Sequence, residues 1–213
     1  MSTSRLIRTG GLAVFLGATL WALQRVSWTL LIGDQDPANY PQPDATLLWL
    51  LGFAVSVLIL MGLPALYAHH AEKAGGFGLA AFVVVFAGMA LVAGNAFFGV
   101  FIQPGLVDLI GAAEGAGVTV EEPVMAIVSF LVTLLLQVVG WLLFGLSALR
   151  ARVLSRGAAV LVMIGTPVWL VMNQVLGFSW WQLPLFEAGL AWMGISLWRG
   201  RTEPAQAGIA AAA

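Results

Sequence analysis

Residues 77–101 read FGLAAFVVVFAGMALVAGNAFFGVF, a run without one charged side chain. As an α-helix rising 1.5 Å per residue the run covers about 37 Å. That exceeds the roughly 30 Å of a bilayer's hydrocarbon core. A single strand in the same place would leave its N–H and C=O groups unpaired in lipid, so the run predicts a membrane-spanning helix. Working outward, five more runs meet the same criterion, and the full set is 10–32, 45–67, 77–101, 124–149, 157–177 and 180–198.

Composition agrees. Of 213 residues, 61% are hydrophobic and 9% charged, with a mean hydropathy of +0.97. A soluble domain carries about 25% charged residues, so lipid is the solvent this chain suits. The expected fold is an all-α membrane protein with a single domain over 1–201 and a low-complexity, disordered tail over 202–213. A net charge of −1 with no basic patch gives no support for a nucleic-acid partner. With no cysteine, disulfides, thiol catalysis and Cys-ligated metals are excluded.

Charge sets the direction. Lys and Arg beside membrane helices collect on the cytoplasmic side. Arg5, Arg8, Lys73, Arg150, Arg152, Arg156, Arg199 and Arg201 are eight of the nine basic residues, and all flank the same ends of the six runs. The expectation is that both termini are cytoplasmic. Arg5 and Arg8 ahead of an apolar run also suit a signal peptide, but the run continues to Ile32, past a usual h-region of roughly 7–15 residues, so it is expected to be retained.

The even runs share an ending: Gly62-Leu63-Pro64-Ala65-Leu66, Gly145-Leu146-Ser147-Ala148-Leu149 and Gly194-Ile195-Ser196-Leu197-Trp198. The odd runs answer with a glycine and a polar group about two turns on: Gly17 with Gln24 and Arg25, Gly88 with Asn95, Gly165 with Asn173 and Gln174. The chain therefore reads as three sequential helical hairpins in parallel repeat. Small residues let membrane helices approach closely. The six glycines are thus expected at helix contacts, and Ala90 with Gly94 form a further small pair.

Polar groups inside spans are costly and are the first functional candidates. Arg25, Asn95, Asn173, Gln174 and Glu187 all fall in the outer half of their runs, whereas Gln137, near mid-span, reads as an interhelical hydrogen bond. Pro184 suits a first helical turn. Glu187 then sits where the helix dipole favours a carboxylate. Two readings follow: an Arg25–Glu187 ion pair that braces the helices, or an outward-facing pocket walled by Trp21, Trp28, Trp180 and Trp181.

Other signals carry less. His69 and His70 are adjacent, hence about 100° apart on a helix. They cannot share a metal, and a solvated loop at the cytoplasmic rim accounts for them. Asp34-Gln35-Asp36-Pro37 lacks the rest of a calcium loop. Glu121-Glu122-Pro123 reads as the start of the fourth helix. No GxSxG, HExxH or P-loop is present. No cofactor is expected.

In its Gly/Ala/Leu/Trp-rich spans and hairpin ends of the type GLSALRARV, the chain resembles the small uncharacterised six-helix membrane proteins abundant in high-GC bacteria. The resemblance is compositional and architectural. It implies a plasma-membrane location and no particular activity. Three functions fit the sequence: a ligand-binding or transport-type subunit for a small amphipathic or lipid ligand, a structural or regulatory subunit among other membrane subunits, or a lipid-modifying enzyme using Arg25 and Glu187.

Overall fold

The computed structural model describes residues 3–32, 43–116, 124–171 and 184–200, and the elements among them are all helices. They are α1 (Thr3–Leu31), α2 (Pro43–Phe101), α3 (Gln103–Gly115), α4 (Val124–Ala151), α5 (Arg156–Leu170) and α6 (Leu185–Trp198). α1, α2 and α4 are long and apolar enough to cross a membrane, while α5 and α6 are shorter apolar helices. Large apolar side chains such as Leu23, Met61, Val83, Leu135 and Trp192 point outward. In water such a surface would drive association, and with the long apolar helices it indicates a membrane location.

Local chemistry sets the boundaries. α2 is two helical segments joined at Gly75, whose φ of +57° and ψ of −152° suit a residue without a Cβ. The expected loop after Tyr67 is therefore shorter than the sequence suggested. The helix carries on through His69 and His70, because nothing between Tyr67 and Ala74 breaks it. The expected loop after Phe101 is corrected too, since residues 103–115 form α3 with a proline in its first turn. Pro184 immediately precedes α6 and Glu187 lies in that helix's first turn. The Asp34–Asp36 turn, Glu121-Glu122-Pro123, Asn173, Gln174, Trp180, Trp181 and the tail lie outside the described residues.

The helices pack in a closed ring. α1 lies against α2 and α6, α2 against α4, α4 against α5, and α5 against α6. Aromatic rings fill the middle. Phe186 stands 4.9 Å from Trp141 and 5.9 Å from Trp21, and Trp141 stands 5.9 Å from Phe144. Val14, Ile59, Met89, Val162 and Leu190 complete a continuous core.

All six glycines named from the sequence lie at helix contacts. A methyl on Gly17 would meet Ile59, one on Gly88 would lie 3.1 Å from the Leu136 carbonyl, and one on Gly165 would lie 2.5 Å from the Phe186 nitrogen. Gly62 meets Gly10 and Val14, Gly145 meets Ala159 and Met163, and Gly194 meets Gly11 and Phe15. Ala90 and Gly94 instead face outward, and a methyl on Gly94 would touch nothing.

Candidate functional site

The one ion pair among the described residues joins the first helix to the last. Arg25 is six residues from the end of α1, and Glu187 is in the first turn of α6. Arg25 Nε lies 2.8 Å from Glu187 Oε1, with the side chains 21% and 2% exposed. The contact is ionic rather than a well-aligned hydrogen bond. Two opposite charges in an apolar bundle each offset part of the other's desolvation penalty, which is a physical reason for both to be present.

Indole rings frame the cation. The guanidinium carbon lies 5.7 Å from the Trp21 ring and 5.3 Å from the Trp169 ring, within cation–π range. Trp21 stands one turn before Arg25 on α1, and Trp169 comes from α5, so three helices converge here. Thr166, one turn before Trp169, is buried with no partner for Oγ1 among the described residues. On the other side of Arg25, Gln24 donates from Nε2 to the Leu48 carbonyl at 3.3 Å, tying α1 to α2. The result is a charged, partly exposed cluster held by α1, α5 and α6.

Not every residue expected here belongs to it. Trp28 packs edge-on against Trp49 of α2 at 5.4 Å. Asn95 belongs to a different seam, where Nδ2 donates to Thr133 Oγ1 on α4 at 3.4 Å. Thr133 in turn donates to the Ser129 carbonyl. Gln137 lies further along the same seam, accepting from Trp141 Nε1 at 2.7 Å and reaching Met89 Sδ with its own amide. Its reading as an interhelical hydrogen bond fits that geometry. Trp169 was missed. In the apolar run 157–177 it stands four residues before Asn173, and that spacing, read as a helix, is the sequence signal that would have found it.

A second polar cluster lies where the first segment of α2 nears Gly75 and α4 nears its end, and it corrects the reading of His70 as a solvated loop residue. His70 is buried, its Nδ1 donating to the Leu66 carbonyl at 2.8 Å. Its ring stands 5.3 Å from Phe144 and 5.9 Å from Tyr67. Nε2 has no partner among the described residues, nor has the Oγ of buried Ser147. Burial pushes the pKa of both His69 and His70 below the ordinary value, with the Leu66 hydrogen bond partly opposing this at His70.

No protein family matches this chain, and no curated protein or solved structure matches it.

Proposed function

We propose that the chain is an integral membrane protein of six spans, arranged as three sequential hairpins with both termini cytoplasmic in a bacterial plasma membrane. Its Arg25–Glu187 cluster then binds an amphipathic ligand from the outer half of the bilayer. The basic residues support the direction. Arg8 Nε donates to the Trp198 carbonyl at 3.0 Å and Arg150 lies 4.8 Å from the Phe77 ring, so basic groups gather at helix ends remote from Arg25.

One observation carries the binding reading. In an otherwise apolar bundle the Arg25 side chain keeps 21% of its exposure while its Glu187 partner is almost wholly covered. A cation left partly open, unlike one wholly covered, still has hydrogen-bond donors to offer a ligand. Here a polar head reaches the cation while an apolar body lies along Trp21 and Trp169. The aromatic packing of the ring's centre favours binding over a water-filled pore.

Glu187 at 2% exposure favours a second reading, in which the pair only closes the ring and the protein is a structural subunit of a larger assembly. Native mass spectrometry from mild detergent separates the two. Binding predicts a bound small molecule on the parent that is lost from the Arg25→Met/Glu187→Gln double variant, which has no lone charge and keeps its fold. A parent that carries the same species as the double variant, or none, rejects the binding reading. A copurifying protein subunit supports the second.

A further inference from the structure

α3 is the element that neither the ring nor the charged cluster uses. None of its residues is buried, and it follows α2 directly. Ile102, Leu106, Leu109 and Ala113 recur at the spacing of one helical face. Ile102, Leu106 and Leu109 are 48%, 41% and 69% exposed. Pro104, Asp108, Gly111 and Gly115 take the opposite face. The helix therefore presents an apolar stripe and, among the described residues, lies against no helix but the adjoining α2.

We propose that α3 lies in the outer membrane interface with this stripe sunk into the boundary between headgroups and acyl chains. The inference rests on the six-span reading. The second segment of α2, from Gly76 to Phe101, already covers about 39 Å, more than the roughly 30 Å of hydrocarbon, so α3 begins at the interface. Continued straight outward, its stripe would be lifted into water. Ile102, at φ −115° and ψ −46°, stays right-handed but is pulled off ideal helix values at the joint, and the proline in the next turn removes a backbone donor, so the chain can bend there. The stripe also prolongs an outward-facing row of Leu91 and Phe98, which lie on the same helical face at the end of α2. That continuity identifies lipid as its occupant. α3 carries no Lys or Arg, only Asp108 and Glu114, so apolar burial holds it and anionic lipid is not required.

The absence of cysteine makes the test direct. Leu109→Cys, in the stripe, and Asp108→Cys, about 100° around the helix and outside it, are each labelled with an environment-sensitive fluorophore in phosphatidylcholine nanodiscs holding one protein each. Val83→Cys on the outer face of α2 is the control. The label at 109 should emit to the blue and be quenched by spin-labelled lipid. Aqueous iodide should quench it about tenfold less than the label at 108, the ratio that ~1.4 kcal/mol of burial produces. Replacing part of the lipid with phosphatidylglycerol should change neither result. Equal iodide quenching at 108 and 109, with 83 still in lipid, would overturn the interfacial helix and leave the six spans standing. Iodide quenching at 83 would instead remove the reading beneath it. Protection at 109 that appears only when two copies share a disc would assign the stripe to a second copy and overturn the proposal.

Discussion

At the scale of single residues, a lone charge at the bilayer centre costs about 3 kcal/mol on insertion scales. Arg25 and Glu187 together offset part of that cost. Removing one partner strands the other, and for buried pairs the loss is about 3–5 kcal/mol, against little or none when both go. Arg25 keeps some exposure, so the lower end of that range applies to loss of Glu187. Glu187 is nearly covered, so loss of Arg25 is the more damaging change. Arg25→Met and Glu187→Gln should therefore each lower the melting temperature in detergent, and the double variant should recover much of the loss. Strictly additive losses would show that the two charges do not stabilise each other. His70 supplies a pH dependence with a definite sign. Its folded pKa is depressed by burial below the ordinary 6.5, and the unfolded chain restores that value. Above this pH both states are neutral and His70 contributes no pH dependence. As pH falls through it the unfolded chain takes the proton first, so stability is lost. The melting temperature should drop between about pH 7.5 and about pH 5.5, and His70→Phe should flatten part of that slope, the rest belonging to His69, whose pKa burial also lowers. An unchanged slope in the variant would assign the effect elsewhere. Of these residues, Arg25 and Glu187 were legible in sequence, since a charge in an apolar run is conspicuous. His70 was not. Its neighbours His69, Glu72 and Lys73 are polar, and only the tertiary packing of Phe144 and Tyr67 turns that one ring inward.

At the scale of the helices, the glycines show how the ring is joined. Gly88 and Gly140 bring the second segment of α2 against α4, and Gly165 and Gly189 bring α5 against α6. Gly145 then contacts α5 and Gly194 contacts α1, each the next helix around the ring. The second and third helix pairs thus use glycine five residues apart in the same way. The first pair departs from this. Its Gly62 packs on Gly10 and Val14 of α1, not on the next helix around. The shared endings in the sequence foretold Gly145 and Gly194 but hid this difference, because Pro64 and Ser147 occupy equivalent places in similar strings. The bounds of α3 were hidden as well, since Gly105, Gly111 and Gly115 have the composition of a loop. Adding bulk at a tight contact forces helices apart and costs about 1–3 kcal/mol. Gly88→Leu and Gly165→Leu should each lower the melting temperature in detergent. Gly94→Leu, which would meet nothing, should leave it unchanged. Equal melting for all three would mean that close approach does not hold these helices.

At the scale of the whole molecule, the contact of α1 with α6 decides the architecture, because it turns a row of helices into a ring. Arg25–Glu187, Gly11 against Leu197 and Arg8 on the Trp198 carbonyl tie the two helices along their length. Those contacts require α1 and α6 to run antiparallel. They are met if the first helix leaves the cytoplasm and the last returns to it. The basic flanks are the sequence support for the same proposed direction, since Lys and Arg beside spans resist translocation. Six crossings follow only if Gly75 and the Arg152–Ser155 connection both lie inside. The left-handed backbone at Gly75 and at Arg152, the latter with φ 54°, marks sharp turns at these two places. A cysteine placed beside either turn therefore tests the topology, with no native thiol to compete. Gly76→Cys, where a side chain meets open space, and Ser155→Cys should react with an impermeant maleimide only after the membrane is opened. Gly111→Cys, on the polar face of α3, should react in intact cells. Were Gly76→Cys to label from outside while Gly111→Cys stayed protected, the bundle would be inverted and Arg25 would face the cytoplasm. Were all three to label alike, α2 would not be two crossings, and the ring would have to sit in the membrane some other way.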